Sequence, residues 1–128
     1  SALACNAYSN KCEIIGVEPL NVNDAYRSLK SKKIEYNLKT DTIADGLRTN
    51  LGDINFPIIL DYIKSIICVN EDEIINAMKL IFDKLNILIE PSSAVAFAGL
   101  LKEKEKFKGK KVGVILSGGN VDSNKLPF

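Results

Sequence analysis

The sequence predicts an α/β unit in which helices flank a parallel sheet. Short runs rich in Val and Ile are typical of buried strands, and longer segments with apolar residues at helical spacing are typical of helices. The two kinds of segment alternate along the chain, which is the pattern of a parallel sheet covered by helices. Ligands bind such sheets beyond the carboxyl ends of their strands.

Three apolar runs are predicted to be the strands. They cover residues 12–17 (CEIIGV), 65–69 (SIICV) and 111–116 (KVGVIL). Each is a nearly continuous apolar run that gives way to a polar loop, as expected of strands buried on both faces. Glu18, Asn70 and Ser117 follow these runs, so we expect them to mark the ligand-binding edge of the sheet.

The helices are predicted from apolar spacing and capping residues. They are expected at residues 2–7, 24–29, 42–47, 56–63, 71–85 and 91–107. The first lacks a preceding cap, so we expect the beginning of the protein to lie outside this sequence. Asn70 and Glu73 have the spacing of a capping box. The small residues after Pro91 predict a helix that packs closely on the sheet.

Charge and composition narrow the classes of function. The 17 Lys and Arg residues against 16 Asp and Glu leave a net charge of +1, which argues against nucleic acid or an anionic membrane as partner. Residues 102–111 alternate Lys with Glu and are expected to be a solvated helix end. Because the chain has no His, mechanisms that use Ser-His, Cys-His or His-bound metal are excluded.

The cysteines predict a reducing environment. Cys5, Cys12 and Cys68 are odd in number and follow no zinc-binding spacing, so we expect free thiols in the cytoplasm. No apolar run is long enough to span a membrane, and no secretory signal is recognisable.

The turn at residues 117–120 (SGGN) is the sharpest local motif. Two glycines let backbone amides approach a ligand closely, while Ser and Asn supply hydrogen-bonding groups. Taken alone, the motif is more typical of an ordinary turn after a strand than of a ligand site.

Four motifs in order give a stronger indication. They are G-V-E-P at 16–19, T-I-A-D-G at 42–46, I-E-P-S at 89–92 and L-S-G-G-N-V-D at 116–122. Together they resemble the serine racemase and serine/threonine dehydratase family, and the resemblance covers nearly the whole chain. It implies the second fold type of pyridoxal-phosphate (PLP) enzymes, with residues 1–128 as the C-terminal part of the large PLP-binding domain. The N-terminal part and the small domain would then lie outside this chain.

The resemblance also implies the cofactor-binding residues. They are Asp45, Gly46, Glu90, Ser117, Gly118, Gly119 and Asn120. In the family the serine of S-G-G-N meets the pyridine nitrogen of PLP, and the glycines shape the pocket floor. Glu90 fits equally well as an acidic residue at a helix start. For Asp45 the role implied by the family is favoured over that of a turn or capping residue.

A divalent cation and a nucleotide effector are implied in the same way. The family holds Mg²⁺ or Ca²⁺ with the Glu of E-P, an Asp six residues later and a carbonyl between them, which correspond to Glu18, Asp24 and Val22. All-oxygen ligands suit those ions, although two carboxylates at this spacing are also typical of a solvated surface pair. Asn120 matches a position that approaches ATP across the subunit interface of the racemases.

Some family motifs do not occur in this sequence. The lysine that forms the Schiff base with PLP belongs to a motif that is absent, as is the tetraglycine loop for the phosphate. No catalytic lysine is therefore assigned, and we expect the chain alone to be inactive.

The resemblance leaves the activity of the intact enzyme open between two reactions. The resemblance implies that the intact enzyme is a homodimer. We expect it to be a dehydratase that converts L-serine or L-threonine to a 2-oxo acid and ammonia. Serine racemisation is the alternative. A noncatalytic ligand-sensing or interaction module of the same fold is the hypothesis from a different class.

Overall fold

A computed structural model describes residues 1–9 and 11–128, with only the backbone described at Lys125. Two strands and five α-helices form in this part of the chain. In order they are α1 (Ala2–Tyr8), β1 (Ile14–Pro19), α2 (Asp24–Ser31), α3 (Phe56–Tyr62), β2 (Ile63–Val69), α4 (Glu71–Leu85) and α5 (Pro91–Lys102). Short 3₁₀ turns occupy Leu20–Val22, Asp45–Leu47, Lys104–Phe107 and Ser123–Lys125.

The sheet is parallel, as predicted. Strand β1 pairs with β2 so that Glu18 lies opposite Cys68 and Pro19 opposite Val69. The two strands therefore end at the same edge of the sheet. Glu18, near the end of β1, and Asn70, the residue after β2, both lie at this edge. The predicted α/β class with flanking helices is confirmed.

The third predicted strand is wrong for the described part of the chain. Residues 111–116 pair with neither described strand and form no hydrogen bond to another described residue. A cavity of about 630 Å³ separates this segment from β1, lined on the other side by Val17, Ala96 and Leu100. A strand forms only where its backbone hydrogen-bonds to a neighbouring strand, so the apolar sequence alone did not produce a strand at residues 111–116.

Helix α4 begins and packs as its sequence predicts. Asn70 accepts a hydrogen bond from the N–H of Glu73, and the Glu73 carboxylate accepts one from the N–H of Asn70, each at 2.8 Å. The buried side chains of this helix are Ile74, Ala77, Met78 and Ile81. Phe82 and Leu85 continue the same spacing but are exposed, so the core face ends one turn before the helix does.

Helix α5 lies directly on the sheet. A Cβ added at Gly99 would stand 2.6 Å from Cγ2 of Val17 in β1, so the close packing predicted from the small residues is present. The helix ends at Lys102 rather than near residue 107, and a 3₁₀ turn follows. Lys102 donates to the carbonyl of Cys68 and to Glu73, which ties the end of α5 to the end of β2.

Candidate functional site

Two loops and a helix start meet at the first turn of α5. The loops are the Asp45–Leu47 turn and the glycine loop, residues 117–120, and both contact the stretch from Leu88 to Ser93. These segments are far apart in the sequence. The structure therefore brings together three of the four motifs singled out in the sequence.

The glycine loop lies against Glu90 and the preceding backbone. A Cβ added at Gly118 would overlap the carboxylate of Glu90, and one at Gly119 would stand 2.9 Å from the carbonyl oxygen of Leu88. The carbonyl of Gly118 accepts the N–H of Glu90 at 3.2 Å. Both glycines are thus required by close approach, which an ordinary turn does not require.

The glycine loop leaves its polar side chains open to solvent. Ser117 and Asn120 are exposed, and neither side chain hydrogen-bonds to the described part of the chain. Glu90 precedes Pro91 and is the N-terminal boundary residue of α5, but its side chain makes no capping hydrogen bond. Its position agrees with the alternative of an acidic residue at a helix start, which needs no side-chain hydrogen bond.

Two serines that sequence reasoning missed connect the loops to α5. Ser92 Oγ accepts the N–H of Gly46 at 3.0 Å, and Ser93 Oγ accepts the N–H of Gly118 at 3.4 Å. Ser93 is buried, with 2% of its surface exposed. In the sequence Ser92 appeared only as the last letter of I-E-P-S, and Ser93 only as a small residue in a helix.

The loop that carries Asp45 is held at its other end as well. Glu71, the first residue of α4, accepts the N–H of Ile43 at 2.8 Å, and Arg48 donates twice to the carbonyl of Thr42. Asp45 is exposed, and its Oδ1 accepts the N–H of Gly46. The turn role that its residue type suggested is present, and its second oxygen has no hydrogen-bond partner among the described residues.

Glu18 caps α2 from the end of β1. Its two carboxylate oxygens accept the N–H groups of Ala25 and Tyr26, at 3.2 and 2.7 Å. Neither Asn23 nor Asp24 caps the helix through its side chain. A capping residue six positions upstream could not be read from local spacing.

Asp24 is buried and organises a neighbouring loop. Its two oxygens accept the side-chain N–H of Asn37 and the backbone N–H of Leu51, both at 2.6 Å. Only 3% of Asp24 is exposed, so a solvated surface pair with Glu18 does not describe it.

The environment of Glu18 disfavours its charge. The pKa of the Glu18 carboxyl is raised to about 7. Burial is the main cause and the nearby Asp24 adds to it, whereas the two backbone hydrogen bonds of Glu18 act in the opposite direction. Within residues 1–9 and 11–128, no three His, Cys, Asp or Glu side chains converge to hold a metal ion. Any cation here would depend on these two carboxylates, a backbone carbonyl and water.

Two further findings concern the sequence predictions. The three cysteines are free thiols. Among the described residues, no helix is long and apolar enough to cross a membrane.

The fold and these loops indicate a protein that binds a small molecule. A parallel α/β layer that presents a glycine loop and acidic side chains at a helix start is typical of a small-molecule binding site. Residues 2–118 match the family model of the pyridoxal-phosphate dependent enzymes. The chain belongs to this family.

Individual relatives agree with the resemblance read from the motifs. The chain is 43% identical to a serine racemase of Dictyostelium discoideum, over 98% of this chain and 40% of the relative. It is 41% identical to a beta-hydroxyaspartate dehydratase of Paracoccus denitrificans, over 100% of this chain and 41% of the relative. The solved structure of maize serine racemase superposes with a TM-score of 0.91 at 37% identity, over 96% of this chain and 39% of that one. The chain thus spans about 40% of the length of the curated relatives it matches.

Proposed function

We propose that this chain is the C-terminal part of the large domain of a PLP-dependent dehydratase acting on a 3-hydroxy amino acid. The products would be a 2-oxo acid and ammonia, and L-serine and L-threonine are the proposed substrates. The beta-hydroxyaspartate dehydratase among the relatives adds 3-hydroxyaspartate as a substrate to test. The observation that carries the proposal is the glycine loop fitted against Glu90 and Leu88.

The residues present fit the cofactor. An added Cβ at Gly118 or Gly119 would collide with Glu90 or Leu88, so the loop packs there through its backbone, and the exposed Ser117 beside it offers a hydroxyl to a bound ring. When bound, PLP supplies the electron sink that stabilises negative charge at the α-carbon of an amino acid. Ser117 would hold the ring nitrogen, Glu90 would lie beside the ring, and Asp45 with Gly46 would line the substrate side.

Ser117 favours elimination through the neutrality of its hydroxyl. A hydroxyl cannot hold a ring nitrogen in its protonated form as a carboxylate would. The weaker electron sink that results favours prompt loss of the β-hydroxyl group. Racemisation shares the first proton removal and needs a second base on the opposite face, which is not assigned in this chain. The racemase relatives give that alternative equal support.

The rest of the enzyme would complete the sheet. The cavity of about 630 Å³ between β1 and residues 111–116 is lined mainly by apolar groups such as Ile15, Val17 and Val114. Residues 111–116 leave their backbone groups without partners among the described residues. We propose that a strand from the part of the enzyme outside this chain fills the groove, since unpaired backbone N–H and C=O groups can pair with another strand. The lysine that attaches PLP would belong to that part, and the 128 residues alone would be inactive.

Three further features are proposed for the whole enzyme. Glu18, Asp24 and the carbonyl of Val22 would hold Mg²⁺ or Ca²⁺, supported by the raised pKa of Glu18 beside the buried Asp24, because a cation would offset the repulsion between the two carboxylates. ATP would bind near the exposed Asn120. A homodimer is consistent with exposed apolar side chains such as Leu38 and Ile54, and the free thiols suit a cytoplasmic protein.

Cofactor attachment and turnover test the proposal together. The intact enzyme and the 128-residue chain would be incubated with PLP, reduced with borohydride and mapped by mass spectrometry. We expect one stoichiometric pyridoxyl-lysine in the intact enzyme, outside residues 1–128, and none in the chain alone. The intact enzyme would then be assayed for 2-oxo acid and D-serine from L-serine, L-threonine and 3-hydroxyaspartate.

Each outcome separates the hypotheses. Release of a 2-oxo acid as main product supports the dehydratase, whereas D-serine as main product favours the racemase. A stoichiometric adduct within residues 1–128 contradicts the placement of the lysine. If the intact enzyme forms no adduct and turns over no substrate, the noncatalytic module becomes the better account.

A further inference from the structure

The first turn of α5 carries two adjacent serines that contact different loops. Ser92 accepts the N–H of Gly46 at 3.0 Å, and Ser93 accepts the N–H of Gly118 at 3.4 Å. Successive residues of a helix point about 100° apart, so neighbouring side chains can reach in two directions. One rigid helical turn thereby sets the position of both loops.

These hydrogen bonds are not the local ones that serines usually make at helix starts. A serine in the first turn commonly bonds to a backbone group within four residues. The partners here lie 46 and 25 residues away in the sequence. A role limited to stabilising the start of α5 does not account for them.

The contact between Ser92 and Gly46 is close as well as polar. A Cβ added at Gly46 would stand 2.9 Å from Ser92 Oγ and 3.4 Å from Ser92 Cβ. The loop has an independent anchor at Glu71, and Arg48 closes the loop internally by donating to the carbonyl of Thr42. Loss of the Ser92 hydroxyl should therefore free the loop from α5 without unfolding it.

Gly118 is held on both sides by the same helical turn. Its N–H donates to Ser93 Oγ, and its carbonyl accepts the N–H of Glu90. Because Ser93 is buried, water cannot readily replace its hydroxyl when it is removed. The glycine loop should then keep one of its two hydrogen bonds and gain freedom beside Glu90.

We infer that Ser92 and Ser93 are positioning residues that set the separation between the Asp45–Leu47 turn and the glycine loop. The inference rests on the proposed function, in which these loops line opposite sides of bound cofactor and substrate. Reactions of bound groups are sensitive to such placement, and a displacement of about 1 Å can lower a rate roughly 100-fold. Neither serine needs to contact the reacting atoms.

The test uses the intact enzyme with the variants Ser92→Ala, Ser92→Thr and Ser93→Ala. Ser65→Ala is the matched control, because Ser65 is exposed and its side chain makes no hydrogen bond to another described residue. Hydrogen exchange would be followed by mass spectrometry in peptides that contain Gly46 or Gly118, with and without PLP. Steady-state kinetics and the cofactor absorption spectrum would be recorded in parallel.

We expect Ser92→Ala to speed exchange at Gly46, whose N–H would keep only Asp45 Oδ1 as acceptor, and to leave Gly118 unchanged, with the reverse for Ser93→Ala. PLP should slow exchange at both glycines in the unsubstituted enzyme, and Ser92→Ala should abolish that slowing at Gly46 alone. The kcat should fall roughly 10- to 100-fold in Ser92→Ala with little change in cofactor content. Ser92→Thr keeps the hydroxyl and should recover kcat to within about threefold.

Two results would overturn the inference. In the first, hydrogen exchange changes as expected, but kcat, KM and the cofactor spectrum of both alanine variants match those of the control. The two serines would then have a purely structural role. The other is exchange at Gly46 and Gly118 that the alanine variants do not change. Failure of the proposed function can be distinguished from failure of this inference. The first appears as absence of turnover in the unsubstituted enzyme, whereas the exchange differences between variants do not depend on turnover.

Discussion

Gly99 of α5 and Val17 of β1 are packed so closely that no side chain fits between them: a Cβ at position 99 would stand 2.6 Å from one Val17 methyl group and 2.7 Å from the other. This contact sets the distance between the helix and the sheet, and with it the height of the first turn of α5 above the strand ends. The site loops depend on that turn.

The first prediction concerns this contact. Gly99→Ala should destabilise the protein by about 1–3 kcal/mol, since the added methyl group forces the helix away from the sheet and outweighs the gain in helix propensity. Gly52→Ala is the matched control, because nothing lies within 4 Å of its added Cβ. Chemical denaturation of the intact enzyme measures both. Equal stability of the two variants would show that Val17 yields without cost.

The second prediction concerns the floor of the glycine loop. Gly119→Ala should weaken PLP binding more than Gly118→Ala, because Gly119 faces the backbone carbonyl of Leu88, whereas Gly118 faces the side chain of Glu90. A side chain can rotate away and a backbone carbonyl cannot. We expect a loss of at least about tenfold in affinity for Gly119→Ala, measured by titration of cofactor absorbance.

A double variant checks the cause of the Gly118 effect. Glu90→Ala removes the carboxylate that the new methyl group would overlap. The combination with Gly118→Ala should therefore bind PLP better than the sum of the two single effects predicts. Strict additivity would mean that the overlap with Glu90 is not what limits Gly118→Ala.

The third prediction follows from the raised pKa of Glu18. Its folded-state value of about 7 lies above the usual 4.5, so between these values the folded state binds more protons than the unfolded state. The free energy of unfolding should consequently fall as pH rises from about 4.5 to about 7. Glu18→Gln, measured with a chelator present, should show a shallower decline than the unsubstituted enzyme.

The control for this experiment is Glu105→Gln, which alters an exposed carboxylate in the 3₁₀ turn after α5. Its stability should follow the pH dependence of the unsubstituted enzyme. Parallel curves for all three proteins would contradict the assignment to Glu18. Addition of Mg²⁺ or Ca²⁺ at pH 8 should raise the melting temperature of the unsubstituted enzyme and not that of Glu18→Gln, if the proposed cation site is real.

The fourth prediction concerns the thiols. Burial raises the pKa of Cys68, and the neighbouring Glu18 raises it further, whereas Cys12 is exposed. Cys12 should therefore react with a thiol reagent at pH 8 at least several times faster than Cys68, because the thiolate is the reactive form. Alkylation followed by peptide mapping distinguishes them, since tryptic cleavage after Lys11 and Lys64 places them in separate peptides. Faster labelling of Cys68 would contradict its burial at the strand end.

Several elements could be predicted because their causes are local. The capping box at Asn70 and Glu73 needs only residues three apart, and α4 forms where it predicts. The strands 14–19 and 63–69 follow from their β-branched runs, with ends displaced by about two residues. The same reasoning failed at 111–116, because a strand also requires a partner and apolar composition does not say whether one is present.

The sequence by itself determined the fold class, the main helices, the family and the set of motifs that form the site, since these depend on periodicity, capping and residue order. Only the tertiary structure decided that Glu18 caps α2, that Asp24 is buried between two loops, and that Ser92 and Ser93 each hold a different glycine. Those roles depend on hydrogen bonds between residues from seven to 46 positions apart, and such a partnership is fixed by how the layers pack rather than by any local pattern.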